Sequence, residues 1–252
     1  NTYPGWKARE IVRDAMILRG GPRDAPEEKL AYARGMLEFL EASARPGTVL
    51  QKALEETLPI VRSASSDYLL HEFLSPLSNR RSDAYGGSLE NRMRLVLQVF
   101  DAIKAVVPES MALGIRISAT DWVDGGWDLA QSLVLAKALE ARGSHFIHVS
   151  SGGLHPAQKI ELAPGYQVPF AEAIKREVGM PVIAVGLITT PQQAEGILQQ
   201  AQADAIGIAR GILYDPRWPW HAAAALGERI AIAPQYLRSA PREYAASFVQ
   251  AS

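Results

Sequence analysis

The sequence predicts an α/β fold in which parallel strands alternate with covering helices, joined to an all-helical N-terminal segment. Three observations carry this. From Met111 to Leu226 a short apolar run is followed by a helix-periodic run four times over, the rhythm of parallel strands with helical crossovers. Ahead of it lies one long amphipathic helix, opened by Ser88 and stopped at Pro108. Residues 1–74 show helical spacing broken by proline and glycine, with no period-two alternation.

The first helix, Trp6 to Leu18, sets Ile11, Met16, Ile17 and Leu18 among Lys, Arg and Asp, and Gly20-Gly21-Pro22 ends it. A second runs from about Ala25 to Ala44 with Leu30, Ala33, Met36, Leu37 and Leu40 on one face. Pro46-Gly47 breaks the chain again, and Val49 to Val61 forms a third helix interrupted by Pro59. The stretch Ser75 to Arg94, SPLSNRRSDAYGGSLENRMR, reads as a polar loop that pivots at Gly86-Gly87 and enters a helix through Ser88 as N-cap. Behind Ser88, Leu89, Met93, Val96, Phe100, Ile103 and Val107 form one apolar stripe.

Strands are then expected at Met111–Ser118, His145–Ser150, Pro181–Gly186 and Asp204–Ala209. The matching helices are Leu129–Arg142, Pro169–Val178, Pro191–Ala201 and one near Trp218–Leu226. In the first strand, period two sets Leu113, Ile115 and Ile117 on one face and Ala112, Gly114, Arg116 and Ser118 on the other. The bulky face suits packing against helices. An arginine on the small face keeps its proton and demands an acceptor, which leaves a carboxylate partner or an electron-rich ligand as alternatives. Thr190, Pro191 and Gln193 read as N-cap, N1 proline and capping-box partner.

The wording of Ser75–Arg94 resembles the segment after the fourth strand in the old yellow enzyme family of FMN-dependent oxidoreductases. The likeness continues through Arg116, Gly186, Ala209-Arg210 and the C-terminus. It implies that residues 75–252 are strands five to eight, the C-terminal half, of a (β/α)8 TIM barrel whose strands one to four have no counterpart. Residues 1–74 resemble instead the regulatory domain attached to some bacterial class I methyltransferases, on Asn1-Thr2-Tyr3-Pro4-Gly5-Trp6 and Tyr68-Leu69-Leu70-His71-Glu72. Tyr68 to Leu74 suits both families, so a fusion with its seam inside that phrase is expected.

The old yellow enzyme resemblance implies FMN as cofactor and NAD(P)H as reductant, and it gives the site residues their roles. Arg116 faces the pyrimidine edge of the flavin and stabilises its anionic reduced form. Gly186-Leu187 after the seventh strand and Ala209-Arg210 after the eighth hold the phosphate, where such barrels commonly bind one. Family members often carry Gly where Ala209 stands, and backbone N–H donation survives the added methyl. Ser150, in Ser150-Ser151-Gly152-Gly153, lines the same rim or merely turns the chain. Arg238, in Gln235-Tyr236-Leu237-Arg238, matches an arginine that in one branch reaches the neighbouring subunit's site. A solvated tail arginine is the plain alternative. Tyr68 matches the active-site tyrosine, while Ser63 and Ser66 replace the His-x-x-His or His-x-x-Asn pair that binds the substrate carbonyl.

Composition bounds the rest. A net charge of −1 gives no case for nucleic acid or an acidic membrane, and the absence of cysteine removes disulfides and thiolate metal sites. His145 and His148, an odd number apart on one strand, point to opposite faces and make no metal pair. His155 and His221 have nothing around them to argue from. No run spans a bilayer and no signal peptide opens the chain, so a cytoplasmic protein acting on a small molecule is expected. It opens at Asn1 as a fragment of a longer product would. The implied activity is NAD(P)H-dependent reduction of activated alkenes, impaired by the missing front half-barrel. A non-catalytic helical adaptor on a phosphate-binding half-barrel, or a methyltransferase accessory module, are the alternatives. Open barrel edges and an interior face bearing Ile206, Ile208, Val182 and Ala184 predict self-association.

Overall fold

The computed structural model describes residues 69–250. The helices expected in residues 1–68, with Ser63, Ser66 and Tyr68, lie outside the described residues. The first element, α1 (Leu69–Leu74), buries Leu70, His71, Phe73 and Leu74. It packs against α2 (Leu89–Val106), whose N-cap Ser88 accepts a hydrogen bond from the Asn91 N–H at 3.3 Å. The apolar stripe of α2 is wider than one row, because Leu95 and Val99 are buried beside Met93, Val96, Phe100 and Ile103. Val107 turns extended ahead of Pro108, which disfavours helical backbone in the residue before it.

The strand–helix rhythm follows as β1 (Gly114–Ser118), α3 (Leu129–Glu140), β2 (Phe146–Ser150), α4 (Val168–Lys175), β3 (Val182–Ala184), α5 (Pro191–Gln199) and β4 (Ala205–Ile206). Beyond them come α6 (Arg210–Tyr214) and α7 (Trp218–Leu226). The four strands form one parallel sheet in the order β1-β2-β3-β4. Helix starts obey local chemistry: Asp128 caps α3 and Thr190 caps α5, with Pro191 in its first turn. Gln193 reaches the N–H of Thr189 at 3.1 Å, one residue short of the reciprocal capping-box bond.

The strands are shorter than the apolar runs that announce them. β3 stops at Ala184, since the chain then turns out of the sheet with Gly186 at φ 121° and Leu187 at φ 51°, and β4 stops at Ile206. Two short strands, β5 (Ile230–Ile232) and β6 (Phe248–Gln250), pair in parallel beyond α7, an addition the sequence pattern does not announce. Trp220 joins this region to α7, its ring 5.5 Å from Tyr236 and 6.2 Å from Phe248.

Register decides which face does what. Ile115, Ile117, Ile147, Val149, Val182 and Ala184 share one face and are all buried, beneath helices that include α4 lying on β2 and β3. This corrects the expectation that Val182 and Ala184 look into an open interior. Ala184 pairs with Ile206, so Ile206 also falls on the covered side. The opposite face carries Arg116, His148, Ile183 and Ala205 side by side, with Ser118 and Ser150 next to them at the C-terminal end. No helix among the described residues is long and apolar enough to cross a membrane.

Candidate cofactor site at the C-terminal rim of the sheet

Arg116 sits in the middle of β1 directly across from His148 on β2. Its Nη1 lies 3.1 Å from Nε2 and 3.3 Å from Nδ1 of the imidazole. Burial and the adjacent Arg116 charge push His148 down to about 4, so the ring is neutral near pH 7 and offers a lone pair to the guanidinium. The other arm of Arg116, Nη2, donates to Ser150 Oγ at 3.1 Å. The Ser150 hydroxyl donates to Gln167 Oε1 at 3.2 Å, and Ser151 donates to the same oxygen at 2.8 Å.

Gln167 in turn lies across Gly186. A Cβ on Gly186 would come within 2.8 Å of Gln167 Nε2 and 3.1 Å of its Cβ and Cγ, so glycine is required by space as well as by its φ. The Gly165 N–H donates to the Gly186 carbonyl at 2.8 Å, docking the loop after β2 onto the end of β3. Gly207, just past β4, faces His148: an added Cβ there would stand 3.0 Å from Nε2. One polar chain therefore crosses the sheet from Arg116 through Ser150 and Gln167 to the turn after β3, with His148 reaching the turn after β4.

Leu187, with φ 51°, is strained for a branched side chain, a condition that clusters at ligand sites. Ala209 and Arg210 are exposed where α6 begins, past the same ends of the strands. Arg238 is exposed on a 3₁₀ turn over Pro234–Ser239. Of the expected set, the structure thus brings Arg116, Ser150, Gly186 and Leu187 together, while Arg210 and Arg238 make no hydrogen bond or ion pair with that group. Among the described residues no three His, Asp or Glu side chains are grouped to hold a metal. His145 is exposed and its Nδ1 accepts the Leu113 N–H at 2.9 Å, at the far end of the strands.

Sequence reasoning missed His148 and Gln167. His148 carries a signal in the even spacing that it shares with Ser150 on β2, opposite Arg116 and Ser118. Gln167 carries none, since it stands at the N-cap of α4 yet makes no capping bond. A second buried cluster underlies the rim. Asp121, in the loop after β1, accepts His71 Nε2 at 2.7 Å, Ser75 Oγ at 2.6 Å and the Trp127 N–H at 2.7 Å. Burial raises its pKa, but His71, Ser75 and Trp127 outweigh that and hold the carboxyl below its ordinary range. Next to it Trp122, at φ 57°, packs edge-on against Phe170 with ring centroids 5.3 Å apart.

The donor set suits an acceptor-rich planar or anionic group: a fixed guanidinium, the –NH2 of a carboxamide whose oxygen two serine hydroxyls hold, and a glycine turn that a side chain would fill. Comparison with known proteins bears on which group. Residues 60–228 match the model of the NADH:flavin oxidoreductase / NADH oxidase family. The NADPH dehydrogenase of Halalkalibacterium halodurans is 48% identical over 172 residues, 68% of this chain and 50% of that protein. That of Geobacillus thermodenitrificans is 46% identical over 235 residues, 87% of this chain and 68% of that protein. Among solved structures, morphinone reductase aligns with a TM-score of 0.55 at 24% identity, covering 87% of this chain and 56% of that one. The old yellow enzyme homologue from Zymomonas mobilis aligns at 0.57 and 20% identity, covering 86% and 59%. The chain spans from half to about two thirds of the length of these curated relatives. The likeness to the two structures places the sheet in the α/β architecture of that group. With a family match over two thirds of its length and a basic, glycine-lined rim to go with it, the chain belongs to the NADH:flavin oxidoreductase / NADH oxidase family, whose cofactor is FMN and whose reductant is NAD(P)H.

Proposed function

We propose that the chain carries the FMN-binding half of an NAD(P)H-dependent reductase of activated alkenes, the sheet β1–β4 corresponding to strands five to eight of a (β/α)8 barrel. The observation that carries this is the hydrogen-bonded series Arg116–Ser150–Gln167 ending on Gly186, on the open face of the sheet. The chemistry supplied by bound FMN is transfer of hydride from NAD(P)H to the β-carbon of an enone or nitroalkene. Arg116 holds a fixed positive charge for the pyrimidine edge of the ring, in a position set from both sides by neutral acceptors. The Gly186-Leu187 backbone, Ala209 N–H and Arg210 serve the phosphate, and Ser150 lines the same site by holding Arg116. Arg238 serves a neighbouring copy, and Tyr68 the substrate.

One feature supports a low turnover: Ser63 and Ser66 stand where the resemblance to the old yellow enzymes expects an imidazole pair. Loss of one such donor lowers a rate by about 10²–10³. Among the described residues β1 and β4 have no further strand paired to their outer edges, and Leu213 and Tyr214 on α6 are strongly exposed. Both support self-association, or cover from residues 1–68.

Titration of the purified apo-protein with FMN, followed by flavin fluorescence, tests the reading directly. Binding at a one-to-one ratio, weakened at least tenfold by Arg116→Leu, is expected, with slow NADPH-dependent enone reduction. A chain that binds no FMN, or binds it equally well as Arg116→Leu, refutes the proposal.

A further inference from the structure

Gln167 is 4% exposed, yet its side chain does not do what its position in the chain suggests. It stands at the N-cap of α4, where a polar side chain ordinarily accepts a hydrogen bond from the first turn, and it makes no such bond. It reaches back over Gly186 instead. Which end of the carboxamide points where is fixed by its partners. Arg116 can only donate, so Ser150 Oγ accepts from Nη2 and must spend its single proton on Gln167. The atom facing Ser150 and Ser151 is therefore the carbonyl oxygen Oε1. The –NH2 group is left beside the Gly186 turn, where it has no acceptor among the described residues. The nitrogen is not sealed away, since the buried polar atoms left without a partner among the described residues are His71 Nδ1 and Trp122 Nε1, so this N–H remains open to a ligand acceptor.

We propose that Gln167 is a binding residue of this site, its amide –NH2 donating to the phosphate end of the ligand while its carbonyl, through Ser150, holds Arg116 for the ring end. The inference rests on the FMN reading above and deepens it. Gly186 and Leu187 offer bare backbone in left-handed conformations at this point, the kind of turn in which N–H groups face an anion. Gln167 thus links two ends of one ligand that no single backbone segment here could reach.

FMN and riboflavin, which differ by the phosphate, make the test. Their affinities for the full chain are measured by fluorescence for wild type, Gln167→Glu, Gln167→Leu and Ser151→Ala, with circular dichroism confirming the fold of each. Gln167→Glu sets a carboxylate oxygen against the phosphate, so FMN affinity is expected to fall by at least about thirtyfold and riboflavin affinity by only a fewfold. Gln167→Leu is expected to cost FMN about tenfold, the worth of a hydrogen bond to a charged group. Ser151→Ala, which loosens one anchor of Oε1 at a half-buried position, shifts the FMN-to-riboflavin ratio in the same direction by a smaller factor and serves if the Gln167 variants do not fold. Equal loss of both ligands in every folded variant makes Gln167 a packing residue and overturns the inference while leaving FMN binding intact. Wild-type protein that binds neither ligand overturns the FMN reading itself, and this inference with it.

Discussion

Gly186→Ala isolates what the turn after β3 requires of its residue. Two costs add. At φ 121° an L-residue meets the left-handed penalty, about 1–2 kcal/mol. The new methyl also lands 2.8 Å from Gln167 Nε2 and 3.1 Å from its Cβ and Cγ, an overpacking that costs about 1–3 kcal/mol. The sum is about 2–5 kcal/mol, a large part of the stability of an ordinary domain. Gly227→Ala is the control: its φ is 73° and nothing lies within 4 Å of the added Cβ, so only the first cost applies. Urea melts of the two variants should therefore differ by about 1–3 kcal/mol. In the double variant Gly186→Ala/Gln167→Ala the contacts to Nε2 and Cγ vanish, and part of the difference should return as non-additivity. Equal destabilisation by Gly186→Ala and Gly227→Ala would refute the close approach of Gln167, and with it the route by which the site crosses from β2 to β3.

The remaining predictions concern charge and assembly. His148 has a folded pKa of about 4 against 6.5 when free, so the unfolded chain binds the extra proton between those values. Stability should rise as pH climbs through that window and fall as pH drops through it, by about 3 kcal/mol. His148→Gln, which keeps an acceptor for Arg116 but does not titrate, should flatten the slope in pH-dependent melts. Asp121→Asn removes the charge from a fully buried carboxylate with three donors on it and should cost about 3 kcal/mol. Because its folded pKa lies below 3.8, the stability that Asp121 supplies is present above that pH and lost as pH falls beneath it, and Asp121→Asn melts should lack that acid limb. Sedimentation velocity at rising concentration should show reversible association; a single monomeric species throughout would remove the open-edge reading.

What could be read from the sequence was what neighbours in the chain decide among themselves. Ser88 caps α2, Thr190 caps α5, Pro108 ends a helix and four strand–helix units follow one another, because each depends on residues within a few positions. The likeness of Ser75–Arg94 to a known family was legible for the same reason, being a matter of wording. Contacts between distant segments were not. His71 and Asp121 stand fifty positions apart and share no pattern. Gln167 reads as an ordinary helix start. His148 makes no pair with His145 on its own strand, and its partner is Arg116 on the next one.

The common element in these omissions is register, and the site depends on it more than on any single side chain. Period two fixes which residues of a strand share a face, but only pairing tells which face of one strand continues onto its neighbour. Here Arg116 opposite His148 and Ser118 opposite Ser150 make a continuous polar face across β1 and β2. The pairing of Ala184 with Val149 and Ile206 sends Val182, Ala184 and Ile206 under the helices. A slip of β1 by one residue would turn Arg116 to the covered side, where Ile115 and Ile117 are buried, and bring Ile115 or Ile117 to the open face. Burying an unmatched guanidinium there costs far more than the few hydrogen bonds of a five-residue strand return. The same charge that equips the rim for an anionic ligand therefore also locks the sheet in the one register that builds the rim.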